Sequence, residues 1–351
     1  MFGILRTILA VYVVLLHIFS VPSLGNYAVS FFFILSGFLM TYVMQKSYSY
    51  DFSGIKSFWI NRFLRLYPSY WLILVLSLLA ILFLNKDELN PAMFFPSTIK
   101  EWFSNITMIY FDIVPHRIKP RVVPTTWALT NEIFFYILIS FGISKTKKLT
   151  FIWLFVSILY YIFTYIFYDL ATFRYSAIPA SSLPFAIGAT LFWLNETLSK
   201  IKTGIISIFL LFALFNLNAI YLANSSIYFF REFSIYINHV IAALLILSLF
   251  TIKSGKTIKQ IDTYIGHYSY PIYLSHYLVC AIFIHIFDFG HVDGEYKLLI
   301  IAIAPFFLIL LAFCFVIVHG IDVKINSFKT ILKSKKKKSM ENSLPQNILN
   351  D

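Results

Sequence analysis

Apolar runs of about 17–22 residues recur along the whole chain, and each is long enough to cross a hydrocarbon core of about 30 Å. No other feature constrains the fold as tightly. A bilayer core offers no water to backbone N–H and C=O groups, so such runs must satisfy their own hydrogen bonds as helices. Hydrophobic residues make up 59% of the 351 and charged residues only 13%, about half the charge of an ordinary soluble domain. With 39 Phe and 23 Tyr, one soluble core could not hide this apolar surface. The reading is an all-α polytopic integral membrane protein with about ten transmembrane helices. We place them near 4–23, 27–45, 69–84, 127–143, 150–168, 176–194, 204–222, 233–252, 270–287 and 298–319.

The charge pattern orients these spans. With the N-terminus in the cytoplasm, 20 of the 28 Lys and Arg residues fall on the cytoplasmic side, and the positive-inside rule then puts both termini there. The net charge of +12 therefore reports topology and membrane-lipid contact rather than nucleic acid. The first span holds Arg6 and His17 and has no small-x-small cleavage site, so it is not read as a signal peptide. Residues 1–320 are expected to form one membrane-embedded domain. Residues 321–351, with SKKKKS, are expected to be a basic, disordered cytoplasmic tail drawn to anionic headgroups. The 46–68 segment reads as an aromatic, basic cytoplasmic connector. The 85–126 segment lies outside and is expected to carry a re-entrant or interfacial helix around 99–113. Cys280 and Cys314 sit within spans and suggest neither a disulfide framework nor a metal site.

Titratable groups inside spans are costly and by default mark a pathway or a site. Arg6 and His17, 11 positions apart, return to nearly the same helical face about 16 Å apart along the axis. Glu132, in WALTNEIFFY, is about a turn and a half inside the outer end of its span. That depth predicts it as a partner that orients His17. Arg62 and Arg65 share a face at the cytoplasmic interface and suit either a polyphosphate, through bidentate guanidinium contacts, or lipid headgroups. Ser36 and Gly37 permit a close helix approach or a thin cavity wall. In YIGHYSYPIYLSHYL, Tyr270, Ser275 and His276 make a polar helix entrance near the cytoplasmic face. This placement predicts His276 on the donor side rather than beside His17. His239, His285 and His319 read as packing or interfacial residues.

Arg6 and His17, then FFFILSGFLM, NRFLRLYPSYW, WALTNEIFFY and SYPIYLSH, occur in that order. Together they resemble the acyltransferase-3 family of bacterial membrane acyltransferases. The resemblance implies transfer of an acyl group, usually acetyl, from cytoplasmic acetyl-CoA or another acyl-CoA to a hydroxyl of a surface glycan. The glycan would be O-antigen, capsule, exopolysaccharide or another lipid-linked saccharide, and the location the bacterial cytoplasmic (inner) membrane. It assigns the essential His to His17 with Arg6 as companion, the arginine pair to Arg62 and Arg65, and the acid to Glu132. The appended hydrolase-like domain of some members is not expected here.

The expected mechanism has Arg6, Arg62 and Arg65 holding donor phosphates while the pantetheine arm threads towards His17. His17 acts as general base on the acceptor hydroxyl, and Glu132 supports it. Ser36 and Ser275 are candidates to touch the acyl group. A covalent acetyl-His relay competes with direct transfer. A transporter or flippase for an acyl group or glycolipid, and a non-catalytic export partner, are the readings from other classes.

Overall fold

The structure is a computed structural model that describes residues 2–168, 171–198, 204–287, 289–292 and 295–325. Among the described residues the regular structure is helical, with no strand. Eight helical segments are long and apolar enough to cross a membrane, which makes this a multi-pass membrane protein. They contain α2 (Leu24–Val43), α3 (Phe52–Phe83), α6 (Lys147–Phe167), α8 (Ile178–Leu198), α9 (Ile205–Leu217), α10 (Tyr228–Thr251), α12 (Ser269–Phe287) and α13 (Ile303–Ile317). Two shorter helices, α1 (Gly3–Phe19) and α5 (Thr126–Ser140), fall where the first and fourth spans were expected. The remaining helices are α4 (Ile99–Thr107), α7 (Ala171–Tyr175) and α11 (Lys256–Gly266).

The core is built from α1, α2, α8 and α12. Helices α2 and α8 cross at backbone contact: a Cβ on Gly37 would lie 2.1 Å from the Phe185 carbonyl oxygen, and one on Gly188 2.0 Å from that of Ile34. Small residues at both crossing points permit this approach, as Ser36-Gly37 predicted. Helices α9 and α13 instead turn Phe209, Leu210, Leu308 and Val316 outward, the lipid-facing pattern.

Three sequence expectations need correction. The 46–68 connector is largely absent: α3 starts at Phe52, N-capped by Asp51, and runs unbroken for 32 residues, about 48 Å. Its buried positions Leu66, Tyr70, Ile73, Ser77 and Ala80 keep helical spacing through Pro68, and that periodicity outweighs the lone proline. Helix α5 is only 15 residues long and its first turn is already buried, with Thr125 and Thr126 no more than 1% exposed. The start of the presumed tail, residues 321–325, is also built into the fold, and Ser69 Oγ donates to Asp322 at 2.5 Å. Residues 326–351, the rest of that tail, lie outside the described residues, as do Lys200 and Lys202.

The 85–125 segment folds back into the bundle. A capping box of Thr98 and Glu101 starts α4, and Tyr67, Tyr70 and Trp71 of α3 donate to the carbonyls of Thr107, Asn105 and Ile106 at its end. Buried Asn105 donates to Pro120 O and accepts from Val122 N and Tyr110 Oη. Arg121 gathers the carbonyls of His116, Ile118 and Pro124. Irregular backbone in this segment is tolerated because protein groups satisfy it, and α4 stands where a re-entrant or interfacial helix was expected.

Candidate functional site

Three cavities lie in series along α1. The first, about 430 Å³, is lined by Gly3, Arg6, Arg65, Asp262, His267, Tyr270, Asp322 and neighbours. A narrow, mostly apolar passage of about 70 Å³ follows, walled by Phe32, Phe33, Leu129 and others, with Ser36, Glu132 and Tyr136 among its polar groups. It shares Arg6, Leu39, Arg65, Ser269 and Tyr270 with the first cavity. It shares Val29 and Tyr273 with a third cavity of about 460 Å³ that contains His17, Asn26, His116, Trp127 and Tyr175. Arg6 and His17, on one stripe of α1, thus line the two outer cavities of three that adjoin.

Local structure fixes Arg6. The Asp262 carboxylate accepts from Gly3 N and Ile4 N at 3.1 and 3.0 Å, capping the positive end of α1 one turn before Arg6. Thr7 Oγ1 donates to Ile265 O at 2.8 Å. A Cβ on Gly266 would meet the Gly3 Cα at 2.7 Å, so α11 lies directly against the start of α1. Tyr270 lines both the first cavity and the passage, its hydroxyl donating to Leu66 O at 2.9 Å.

The arginine pair divides. Arg65 lines the first cavity and the passage. Arg62 instead packs over Phe58 and Tyr136, 5.6 and 6.0 Å from the ring centroids, with Nη1 against Met40 Sδ. Its buried Nε has no hydrogen-bond partner among the described residues. Arg62 lines neither the first cavity nor the passage.

Glu132 is not the partner of His17. Its Oε1 accepts from Ser36 Oγ at 2.7 Å and from the Tyr136 hydroxyl, and Arg6 and Arg62 are its electrostatic neighbours. The depth argument counted from a helix end assumed to sit at the membrane face. The start of α5 is sunk, with Tyr273 donating to Thr125 O at 3.1 Å, so Glu132 reaches the passage. Ser36 accordingly orients Glu132 there.

His276, expected on the donor side, is what contacts His17: His17 Nδ1 and His276 Nε2 are 3.0 Å apart. Gly266 touches Gly3, and α12, which begins three residues later, runs back along α1 and carries His276 to His17. Tyr277 stacks on the same imidazole, centroids 5.2 Å apart. Ser275 is also displaced from its expected place, since its hydroxyl donates to Pro271 O at 2.8 Å and lies 3.7 Å from Cys314 Sγ, away from all three cavities.

The histidine contact fixes tautomers. His276 Nδ1 lies 3.2 Å from Ile272 O; a carbonyl only accepts, so this nitrogen carries hydrogen. In a neutral ring Nε2 is then bare and accepts from His17 Nδ1–H. His17 Nε2 is left with a free lone pair, the state a general base needs. The sequence placed His276 at the wrong end and did not single out Tyr277, Trp127 and Tyr175 at this end or Asp262 and Asp322 at the other. The acids, rare in so apolar a chain, were a usable signal; the aromatics, among 23 Tyr and 6 Trp, were not.

Comparison with known proteins agrees with the resemblance. The "Acyltransferase domain" family model of the acyltransferase-3 group matches residues 2–319. Peptidoglycan O-acetyltransferase OatA of Listeria monocytogenes is 29% identical over 143 residues, 38% of this chain and 22% of that protein. Putative peptidoglycan O-acetyltransferase YrhL of Bacillus subtilis is 27% identical over 143 residues, with the same shares covered. The match thus spans about a fifth of the length of these relatives. No solved structure matches significantly. With the family model covering nearly the whole chain, the protein belongs to the acyltransferase-3 family.

Proposed function

We propose that this protein is a membrane O-acyltransferase of the bacterial cytoplasmic membrane. In this reading it moves an acetyl group from a cytoplasmic acyl-CoA to a hydroxyl of a cell-surface glycan. The observation that carries the reading is the series of cavities from Arg6 to His17. The names of the two relatives support acetyl as the group and a glycan as the acceptor.

The first cavity fits a phosphate-bearing donor. Arg6 and Arg65 face it, while its acids Asp262 and Asp322 are turned to the α1 backbone and to Ser69. Two guanidiniums facing a partly enclosed space suit phosphate oxygens. The donor supplies an activated thioester carbonyl. The span from Arg6 to His17, about 16 Å along the helix, is comparable with a pantetheine arm. Glu132, held by Ser36 and Tyr136, balances the arginines where the passage narrows.

At the far end His17 Nε2 takes the acceptor hydroxyl proton as the oxygen bonds to the acyl carbon. The C–S bond breaks, and the imidazolium returns its proton to the departing thiolate. His276 holds the reactive tautomer, the office an acid performs in a hydrolase triad.

The test is the purified protein in proteoliposomes, supplied with [14C]acetyl-CoA on the Arg6 side and a glycan acceptor on the other. Label should appear on the acceptor and depend on His17. Label that crosses without an ester to the glycan would replace transferase with transporter.

A further inference from the structure

We infer that the cavity around His17 is a subsite for one uncharged sugar ring, seated in the corner made by Trp127 and Tyr175. The acceptor it takes is accordingly a neutral saccharide rather than a uronic or sialic acid polymer. This rests on the transferase reading and adds the chemical class of the acceptor.

The lining carries the argument. Among the described residues the lining includes His17, Asn26, His116, Trp127 and Tyr175 with small polar and apolar neighbours, and none of these lining residues is Asp, Glu, Lys or Arg. The donor-end cavity, of similar volume, is lined by Arg6, Arg65, Asp262 and Asp322. A carboxylate placed at the His17 end would lose water with no Lys or Arg among the described lining residues to pair with, which is unfavourable. The nearby cations Arg121 and Lys119 are not lining residues of this cavity, and Arg121 turns its Nε and Nη1 to the carbonyls of Pro124, His116 and Ile118.

The remaining chemistry matches a pyranose. Trp127 and Tyr175 stand 5.7 Å apart at 58°, and the His116 ring meets Trp127 edge-on at 5.5 Å. A sugar's C–H face packs on flat aromatic surface, and aromatic side chains combine that apolar body with polar edges. Around this corner Asn26, Thr172 and Ser176 offer both donors and acceptors to hydroxyl groups. About 460 Å³ is within the range of small-molecule sites, which runs from about 300 Å³ upward. Trp127 is placed by the first turn of α5 and Tyr175 by the end of α7, so the corner is assembled by two separate elements beside the base.

The test uses the full chain in nanodiscs with chitotriose as neutral acceptor and trigalacturonate as acidic acceptor. Acetyl transfer from [14C]acetyl-CoA should occur with the first and not the second. Saturation-transfer NMR without donor should show chitotriose C–H protons contacting the protein. Trp127→Ala should raise the chitotriose KM about ten-fold or more and abolish the NMR contact. The acetyl-CoA KM should not move, and Trp127→Phe should restore most of the affinity. Tyr175→Leu should act in the same direction and serves if Trp127→Ala does not fold. Equal use of trigalacturonate, failure to use chitotriose while His17-dependent acetyl-CoA hydrolysis persists, or an unchanged chitotriose KM in Trp127→Ala overturns the inference. Loss of that hydrolysis from the wild-type protein would instead overturn the transferase reading beneath it.

Discussion

The two ends of the route through the bundle have similar volume and opposite chemistry. The Arg6 end gathers two arginines and two carboxylates; the His17 end has imidazoles, aromatic rings and small hydroxyl or amide side chains. Between them the passage shrinks to about 70 Å³. A protein that only conducted one solute would be expected to meet it with similar chemistry at both ends. The contrast suits two substrates that approach from opposite sides and share only the small group that passes between them. The charged end would then answer to donor affinity and ionic strength, and the uncharged end to acceptor affinity and turnover.

The largest test of that contrast removes the base. His17→Ala is expected to lower acetyl transfer about 10²–10⁴-fold with the donor KM nearly unchanged, measured as labelled acceptor in proteoliposomes. A loss confined to donor affinity would merge the two ends into one donor site and break the comparison.

Next come the two arginines that the sequence cannot tell apart. Arg65→Ala should raise the donor KM about 10–150-fold, the loss of a charge-assisted phosphate contact of about 1.5–3 kcal/mol, with partial recovery in Arg65→Lys. Arg62→Ala should leave donor KM close to wild type and lower thermal stability through lost cation–π contacts with Phe58 and Tyr136. Kinetics on both variants, with thermal unfolding in detergent, separates the roles; a donor-KM effect confined to Arg62→Ala would reverse the assignment.

How these residues were and were not legible follows a simple physical division. Hydrophobic run length located the eight long apolar helices because a bilayer imposes it on composition. Helical spacing placed Arg6 and His17 on one stripe because both belong to one helix. Depth across helices was not legible. It depends on where each helix starts in space, and neither the sunk start of α5 nor the docking of α11 on α1 at Gly3 and Gly266 is written in local pattern. That is why Glu132 and His276 exchanged places between expectation and structure. Arg62 and Arg65 differ for the same reason, since which side of a buried helix meets a cavity is decided by its neighbours.

The His276 contact sharpens the uncharged end further. His276→Ala should reduce kcat about 10–100-fold, by analogy with loss of the group that orients a metal-bound imidazole, with little change in either KM. His276→Gln keeps a side-chain carbonyl able to accept from His17 Nδ1–H and should recover part of the rate. The readout that separates positioning from packing is the pH profile of kcat, which should move in His276→Ala and return towards wild type in the Gln variant. Equal loss in both variants with an unmoved profile would reduce His276 to a packing residue.

The smallest effect concerns how the uncharged end stays uncharged. His116, in the segment before α5, has its pKa pushed down to about 4, first by burial and then by the nearby charges of Arg121 and Lys119. The unfolded chain would hold that proton with a pKa near 6.5. Between these values the unfolded state binds more protons than the folded one, so stability rises with pH there. The contribution of His116 is complete above about pH 6.5 and is lost progressively as pH falls towards 4. Solvent screens the half-buried ring, so the loss is modest. Thermal midpoints of wild type and His116→Gln, compared from pH 7.5 to 4.5, should converge or cross as the wild type loses this term and the variant does not. The carboxylates titrate alike in both proteins and cancel in the difference. A difference that stays flat across the window would mean that His116 is freely hydrated. The neutrality of this cavity would then rest only on the lack of Asp, Glu, Lys and Arg among its described lining residues.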